Sequence, residues 1–329
     1  MALLAFDSAQ DPWEMDLVTH LGALPQLDPI ERLPTVRMKN ETPEAGDPDL
    51  QAAICAIENA DLAATKRVTS RIRNADGAYS RRLQYCLLRA VQSENDSLVR
   101  EILSRGVRVS KETLKAAIRV KALPLLSSFR ESGWDINEPL GPWQPPCLSL
   151  CIHDPELVTW FLQNGADPDR RCEIDLTPLS TAVEAAPLEI IDLMLASSEQ
   201  VGHGQLLHYA VRREAKDRLE VLRLVLSRGA RIDHVMYEND LKSYHMQKAF
   251  GLGTALHEAA RLSRIDVIEV LAAKGANPLV EDSLGRTPLQ VAELLENRAA
   301  AEVLRRISAM ARPPEYQFTV AARLQDAWR

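Results

Sequence analysis

Thr254-Ala255-Leu256-His257 and Thr287-Pro288-Leu289 stand 33 residues apart, each followed by small and branched apolar residues in the same order. A fixed spacing of that length constrains a fold more than composition does. A unit of that size makes one supersecondary element that cannot bury its apolar face alone, so neighbours must stack to bury it. The spacing therefore predicts helix-turn-helix units in series, whereas 329 residues read by length alone would suggest two globular domains.

The same order recurs upstream with decreasing fidelity. Gln205-Leu206-Leu207-His208 with Ala210-Val211 leads to Leu224 and Gly229, and Thr177-Pro178-Leu179 precedes Ala182-Val183. Leu148 with Cys151-Ile152 leads to Gly165-Ala166-Asp167-Pro168, Ala117-Ile118 to Gly133, and Ala90-Val91 to Gly106. These residues resemble the ankyrin-repeat consensus, most closely over residues 254–275, and the resemblance covers about residues 82–309. It implies an all-α ankyrin-repeat solenoid of about seven helix-turn-helix units with short β-turn fingers and non-repeat terminal extensions. The expected layout is an acidic, Pro-rich extension at 1–49, a stack at 50–309 with a degenerate capping repeat at 50–80, and an extension at 310–329.

Each recurring residue has a mechanical role. Thr and Pro open the first helix, since a hydroxyl caps free N–H groups and proline's fixed φ suits the first turn. The small pair lets two helices approach closely. Val267, Val270 and Leu271 fall on one stripe of the second helix, and a glycine such as Gly275 stops it in the left-handed conformation. The unit around Leu195-Ala196-Ser197-Ser198 lacks that glycine and runs 28 residues to the next repeat, so it is expected to be the most distorted.

Aromatic residues make up 5% of the chain, which suits cores of Ala, Leu, Val and Ile. No apolar run approaches the roughly eighteen residues of a membrane span, and the apolar start is too short for a signal peptide. Five cysteines without a disulfide pattern fit a reducing compartment, so a cytoplasmic or nuclear location is expected. The net charge of −7 resides in residues 1–50, where ten acids face Arg32, Arg37 and Lys39. That balance excludes a nucleic-acid footprint. Lys66, Arg67, Arg71, Arg73, Arg81 and Arg82 form one basic stretch, read as a solvated face in preference to a phosphate or acidic-partner patch.

At the ends, Asp11-Pro12 with Trp13, Leu17 and Leu21 reads as a short capped helix at 12–21, followed by a Pro-rich linker. After Pro313-Pro314, Val320, Leu324 and Trp328 recur at i, i+4 and i+8. Both segments could cap the stack or dock a partner. The largest departure from the repeat is an inserted loop at 234–253: Gly229 and Thr254 are 25 residues apart, where Gly275 and Thr287 are 12 apart. It carries Met236, Tyr237, Tyr244, His245, Met246 and Phe250, types enriched at interfaces. Pro142-Trp143-Gln144-Pro145-Pro146 is a second unusual finger, with Trp143 as an exposed anchor or a local clasp.

In the ankyrin family the residues after the small pair face the partner. Here that set reads Gln92, Ser93, Arg119, Val120, His153, Asp154, Glu184, Ala185, Arg212, Arg213, Arg261 and Leu262. The expected reading is a non-catalytic scaffold or adaptor that holds a protein partner through a concave groove and the 234–253 loop. Trp143, His153, Asp154, Glu184, Arg212, Arg213, Tyr237, Tyr244, His245, Phe250 and Arg261 are the candidate contacts. The alternative is an enzyme, such as a cyclase, isomerase or hydrolase acting on a small molecule. His153, Asp154, Glu184 and Arg212 would then be its acid, base and anion-holding groups. No phosphate loop, Gly-x-Ser-x-Gly or His-Glu-x-x-His pattern occurs. Cys147, Cys151, His153 and Cys172 lack paired ligand spacing and are read as packing, so no metal and no cofactor is expected. His208 and His257 fill the resemblance's turn-bonding histidine position and are not read as bases.

Overall fold

A computed structural model describes residues 48–72, 78–199 and 202–311. The expected Trp13 helix, the Pro-rich linker, Arg73 and the Val320, Leu324 and Trp328 stripe lie outside the described residues. The described residues divide into two compact units, 48–204 and 205–311.

The first unit is a series of helix pairs: α1 (Pro48–Glu58) with α2 (Leu62–Thr69), α3 (Ala78–Gln92) with α4 (Asp96–Leu103), and α5 (Lys111–Arg119) with α6 (Leu123–Glu131). A hairpin of β1 (Pro139–Gly141) and β2 (Gln144–Pro146) then leads through a single 3₁₀ turn, Cys147–Leu150, to α7 (Pro155–Gln163). The unit closes with α8 (Pro178–Ala185) and α9 (Leu188–Ala196). In the second unit, α10 (Leu206–Arg212) pairs with α11 (Arg218–Ser227), α13 (Ala255–Arg261) with α14 (Ile265–Ala273), and α15 (Pro288–Leu294) with α16 (Arg298–Met310). Between the first two pairs lies α12 (Leu241–Gln247). The fold is all-α, with the repeat organisation that the 33-residue spacing predicts.

The caps account for the helix starts. Thr177 and Ser180 bond reciprocally, Thr254 pairs with His257 in the same way, and Thr287 with Gln290. Asn95, Ser110 and Asp154 cap other helices, each accepting from the backbone N–H three residues on. The small pair lies where the helices touch: Ala90, Ala117, Ala182, Ala210, Ala259 and Ala292 are all fully buried. Gly275 ends α14 at φ +90°, a conformation that costs glycine nothing.

The turn between the two helices of a pair also takes the left-handed conformation, and non-glycine residues hold it. Ala60, Glu94, Lys121, Ser263 and Glu296 have φ between 52° and 57°. An L-residue pays roughly 1–2 kcal/mol there, while glycine adds about 0.5–1 kcal/mol of unfolded-state entropy. Ser263→Gly and Glu296→Gly are therefore expected to stabilise by about 0.5 kcal/mol each, raising the urea midpoint. A lowered midpoint would mean that the Ser263 or Glu296 side chain contributes more than its backbone costs.

Neighbouring repeats are joined by a second set of bonds. Arg264 donates to the carbonyls of Arg212, the last residue of α10, and of Arg213, its C-cap, at 2.9 and 2.8 Å. One period later Asn297 donates to the carbonyls of Ala260 and Arg261 at 3.0 and 2.9 Å. These side chains satisfy helix-end carbonyls that would otherwise lack partners.

The glycine-less unit is the distorted one. Asp169 accepts from Ser198 and the Glu199 amide, Asp175 accepts from the Gly204 amide, and Gln205 starts α10 at φ +55° without a side-chain cap. The division between the two compact units falls at this point, after Gly204.

Candidate functional site

The insertion departs most from the sequence expectation. In place of an open loop it forms α12, capped by Asp240, whose carboxylate accepts from the Ser243 amide at 2.8 Å. Met236, Tyr237 and Tyr244 turn inward and are buried. The reading of Tyr237 and Tyr244 as partner contacts is corrected accordingly: the cost of exposing aromatic surface is avoided by giving the insertion a core of its own. The Tyr237 amide donates to Gln205 Oε1 at 2.9 Å, which ties the insertion to the start of α10, and the Met236 amide donates to the Gly253 carbonyl at 2.9 Å, which joins the two ends of the insertion. His245 and Phe250 remain exposed, as does Met246.

The segment after α12 is clamped to the next finger. The Ser283 amide donates to the Leu252 carbonyl and the Leu252 amide to Ser283 Oγ, both at 2.8 Å, while Ser283 Oγ donates to the Lys248 carbonyl. At Gly251, φ is +78° and an added Cβ would stand 2.0 Å from Arg286 Nη2, so only glycine fits against the Arg286–Asp282 pair. These bonds hold Phe250 and Leu284 on two joined segments, and both side chains are exposed, Leu284 at 51%. Exposed Lys242, His245 and Lys248 lie on the α12 side of this patch.

The arginines expected to face a partner are occupied internally. Arg212 donates from Nε to Glu258 Oε1 at 2.8 Å, and both side chains are about nine-tenths buried. Burial pushes the Glu258 carboxyl up, but the Arg212 charge and hydrogen bond, with Arg261 beside them, hold it below its ordinary range. Arg213 is 2% exposed and grips both carboxylate oxygens of Asp217 at 2.7 Å. Its guanidinium hydrogen bond holds the Asp217 carboxyl low against the opposing effect of burial. A side chain so enclosed does not reach a partner, which corrects the reading of Arg213 as a contact; the pair closes the loop between α10 and α11. Arg261 donates to the Gly251 carbonyl at 3.3 Å, so it does adjoin the insertion.

In the first unit, His153 is exposed, Glu184 is half-buried near the end of α8, and Trp143 sits half-buried at the tip of the β1–β2 hairpin. The Glu173 amide donates to the neighbouring Pro142 carbonyl at 3.0 Å, clasping that hairpin to the following finger. Asp154 caps α7 through the amides of Glu156 and Leu157 and pairs with Lys121. Burial raises its carboxyl, but Lys121 and the two amides outweigh it and hold it low. Burial also pushes the Cys147 and Cys151 thiols up, and Cys172 to about 11. Among the described residues no three His, Cys, Asp or Glu side chains cluster as metal ligands.

His208 and His257 serve the turns. His208 Nε2 lies 3.0 Å from the Gly253 carbonyl, and His257 bonds Thr254 through Nδ1 and the Arg286 carbonyl through Nε2 at 2.9 Å. Burial holds both rings neutral, with pKa about 3 and about 4. The unfolded state binds protons near pH 6.5 that the folded state refuses until about 4. Their stabilisation is complete above 6.5 and is lost as pH falls toward 4, by a few kcal/mol in all. The depressed carboxylates Glu258 and Asp217 act in the same direction at lower pH. The urea midpoint is therefore expected to fall between pH 7 and 5, and a midpoint that held or rose would contradict the neutral buried rings.

Residues 253–283 match the ankyrin-repeat family. The chain carries an ankyrin repeat. This matched ankyrin segment holds the His257 box, α13, α14 and Gly275, and ankyrin repeats in general are protein-interaction modules. No curated protein matches the chain. Among the described residues no helix is long and apolar enough to cross a membrane.

Sequence reasoning passed over Leu284, Leu294 and Leu295. A signal for Leu284 was present: it occupies the tip of the Asp282-Ser283-Leu284-Gly285 turn, where an apolar side chain has nothing local to pack against.

Proposed function

We propose that this ankyrin chain binds a protein partner through the apolar finger patch of its second unit, formed by Met246, Phe250 and Leu284. One observation carries the reading. Met246, Phe250 and Leu284 are exposed large apolar side chains, and Phe250 and Leu284 sit on two segments joined by the Ser283 bonds to Leu252 and Lys248. Scattered apolar exposure needs no explanation, but concentration in one part of a fold marks an interaction surface. Rigid presentation supports the same reading, since hydrogen bonds that fix Phe250 and Leu284 beforehand lower the entropy lost on binding. Lys248, exposed two residues before Phe250, favours a partner segment whose apolar side chains are flanked by acids. The role is that of a scaffold or adaptor in a reducing compartment, in keeping with five free thiols.

Photo-crosslinking tests it. A benzophenone amino acid at position 284 is expected to give partner adducts in the native source, whereas the same probe at Arg223, exposed on α11, gives none. Equal adducts from both positions, or adducts from Arg223 alone, would place the partner elsewhere.

A further inference from the structure

Burial divides the methionines of the described residues into two kinds. Met194 and Met236 are enclosed, whereas Met246 is 47% exposed and Met310 is 83% exposed. Met246 lies on α12 four residues before Phe250, about one helical turn, so its thioether adds to the apolar surface that Phe250 and Leu284 present. The backbone that carries it is fixed at both ends: Asp240 caps α12, and Ser283 Oγ donates to the Lys248 carbonyl just beyond the helix. Met310 shares the exposure but stands at the end of α16, on a different helix.

We infer that Met246 is a site of reversible sulfoxidation that turns the finger patch off, an inference that rests on the patch being the partner site. In the forward step Sδ attacks the outer oxygen of a hydroperoxide. The S–O bond forms as the O–O bond breaks, sulfur loses two electrons, and the reduced peroxide leaves as water or an alcohol. In the reverse step a sulfoxide reductase takes the oxygen away as water while two of its thiols become a disulfide. Exposure decides which thioethers react, so Met194 and Met236 are protected by the core. The product carries a polar S=O group where the patch had an apolar side chain. Covered by an apolar partner, that oxygen loses its water and gains no donor, so the complex weakens. The fold does not, because Met246 already faces solvent and the bonds that fix its segment come from Asp240 and Ser283.

The full chain carrying the benzophenone amino acid at position 284 tests it. The chain is treated with hydrogen peroxide, quenched with free methionine so that only the chain is oxidised, and added to extract of the native source. Peptide mass spectrometry is expected to show Met246 and Met310 sulfoxides forming at least tenfold faster than those of Met194 and Met236, with the thermal midpoint unmoved. Adduct yield, at chain concentrations below half-saturation, is expected to fall about tenfold and to recover after methionine sulfoxide reductase. With Met246→Leu the yield is expected to be equal before and after peroxide, whatever its starting level, and with Met310→Leu the fall persists. A yield that survives complete Met246 oxidation overturns the inference and leaves the patch reading standing, as does a fall that persists in Met246→Leu. No adduct from the untreated chain overturns the patch reading, and this inference with it.

Discussion

Replacing Arg212 by Ala is expected to destabilise the second unit by about 3 kcal/mol, the cost of leaving a buried carboxylate without its cation. Glu258 is 9% exposed, and after the change only Arg261, at 3.6 Å from Oε2, would remain beside it. Arg212 also lies over the Tyr209 ring, with Cζ 5.5 Å from the centroid, so some packing is lost along with the charge. A solvent-facing arginine on a binding groove would behave differently, changing stability by no more than about 0.5 kcal/mol when truncated. The double change Arg212→Leu, Glu258→Leu separates the two accounts. Removing both charges is expected to restore most of the lost stability, because a buried pair replaced by apolar groups is often neutral. If Arg212→Ala alone leaves the thermal midpoint unmoved, the pair is not buried in solution and Arg212 is available to a partner after all.

That expectation reverses what the sequence suggested, and the reason is physical. Arg212 and Glu258 are 46 residues apart, and a pairing across a repeat and an insertion leaves no local pattern. Arg213 and Asp217 are only four apart, but they close the loop between α10 and α11, where no helical spacing rule foretells the pair. Features set by local backbone chemistry were legible: the Thr177, Thr254 and Thr287 boxes, the Gly275 stop and the turn-bonding histidines follow from residue type and spacing alone. The insertion was half legible. Its aromatic and Met content was visible, yet composition alone does not say which face turns inward or that the segment forms a capped helix. The left-handed turn residues gave no signal, because Lys121, Ser263 and Glu296 are types with no preference for that conformation.

The candidate site moves accordingly from charge to apolar surface. Phe250 is retained from the sequence reading, Leu284 and Met246 join it, and the buried Tyr237, Tyr244 and Arg213 leave it. Substituting serine for Phe250 and Leu284 removes two large side chains from surface positions while keeping the Ser283, Leu252 and Lys248 backbone clamp, so the melting temperature is expected to stay within a degree or two. Buried apolar side chains at the centre of an interface contribute on the order of 1–2 kcal/mol each, and two together correspond to roughly a hundredfold in affinity.

The affinity of the partner captured by the position-284 crosslink, measured for the native chain and for Phe250→Ser, Leu284→Ser at matched salt, tests the central claim most directly. The account predicts a Kd weakened about a hundredfold with the fold unchanged. A Kd within threefold of the native value would contradict it.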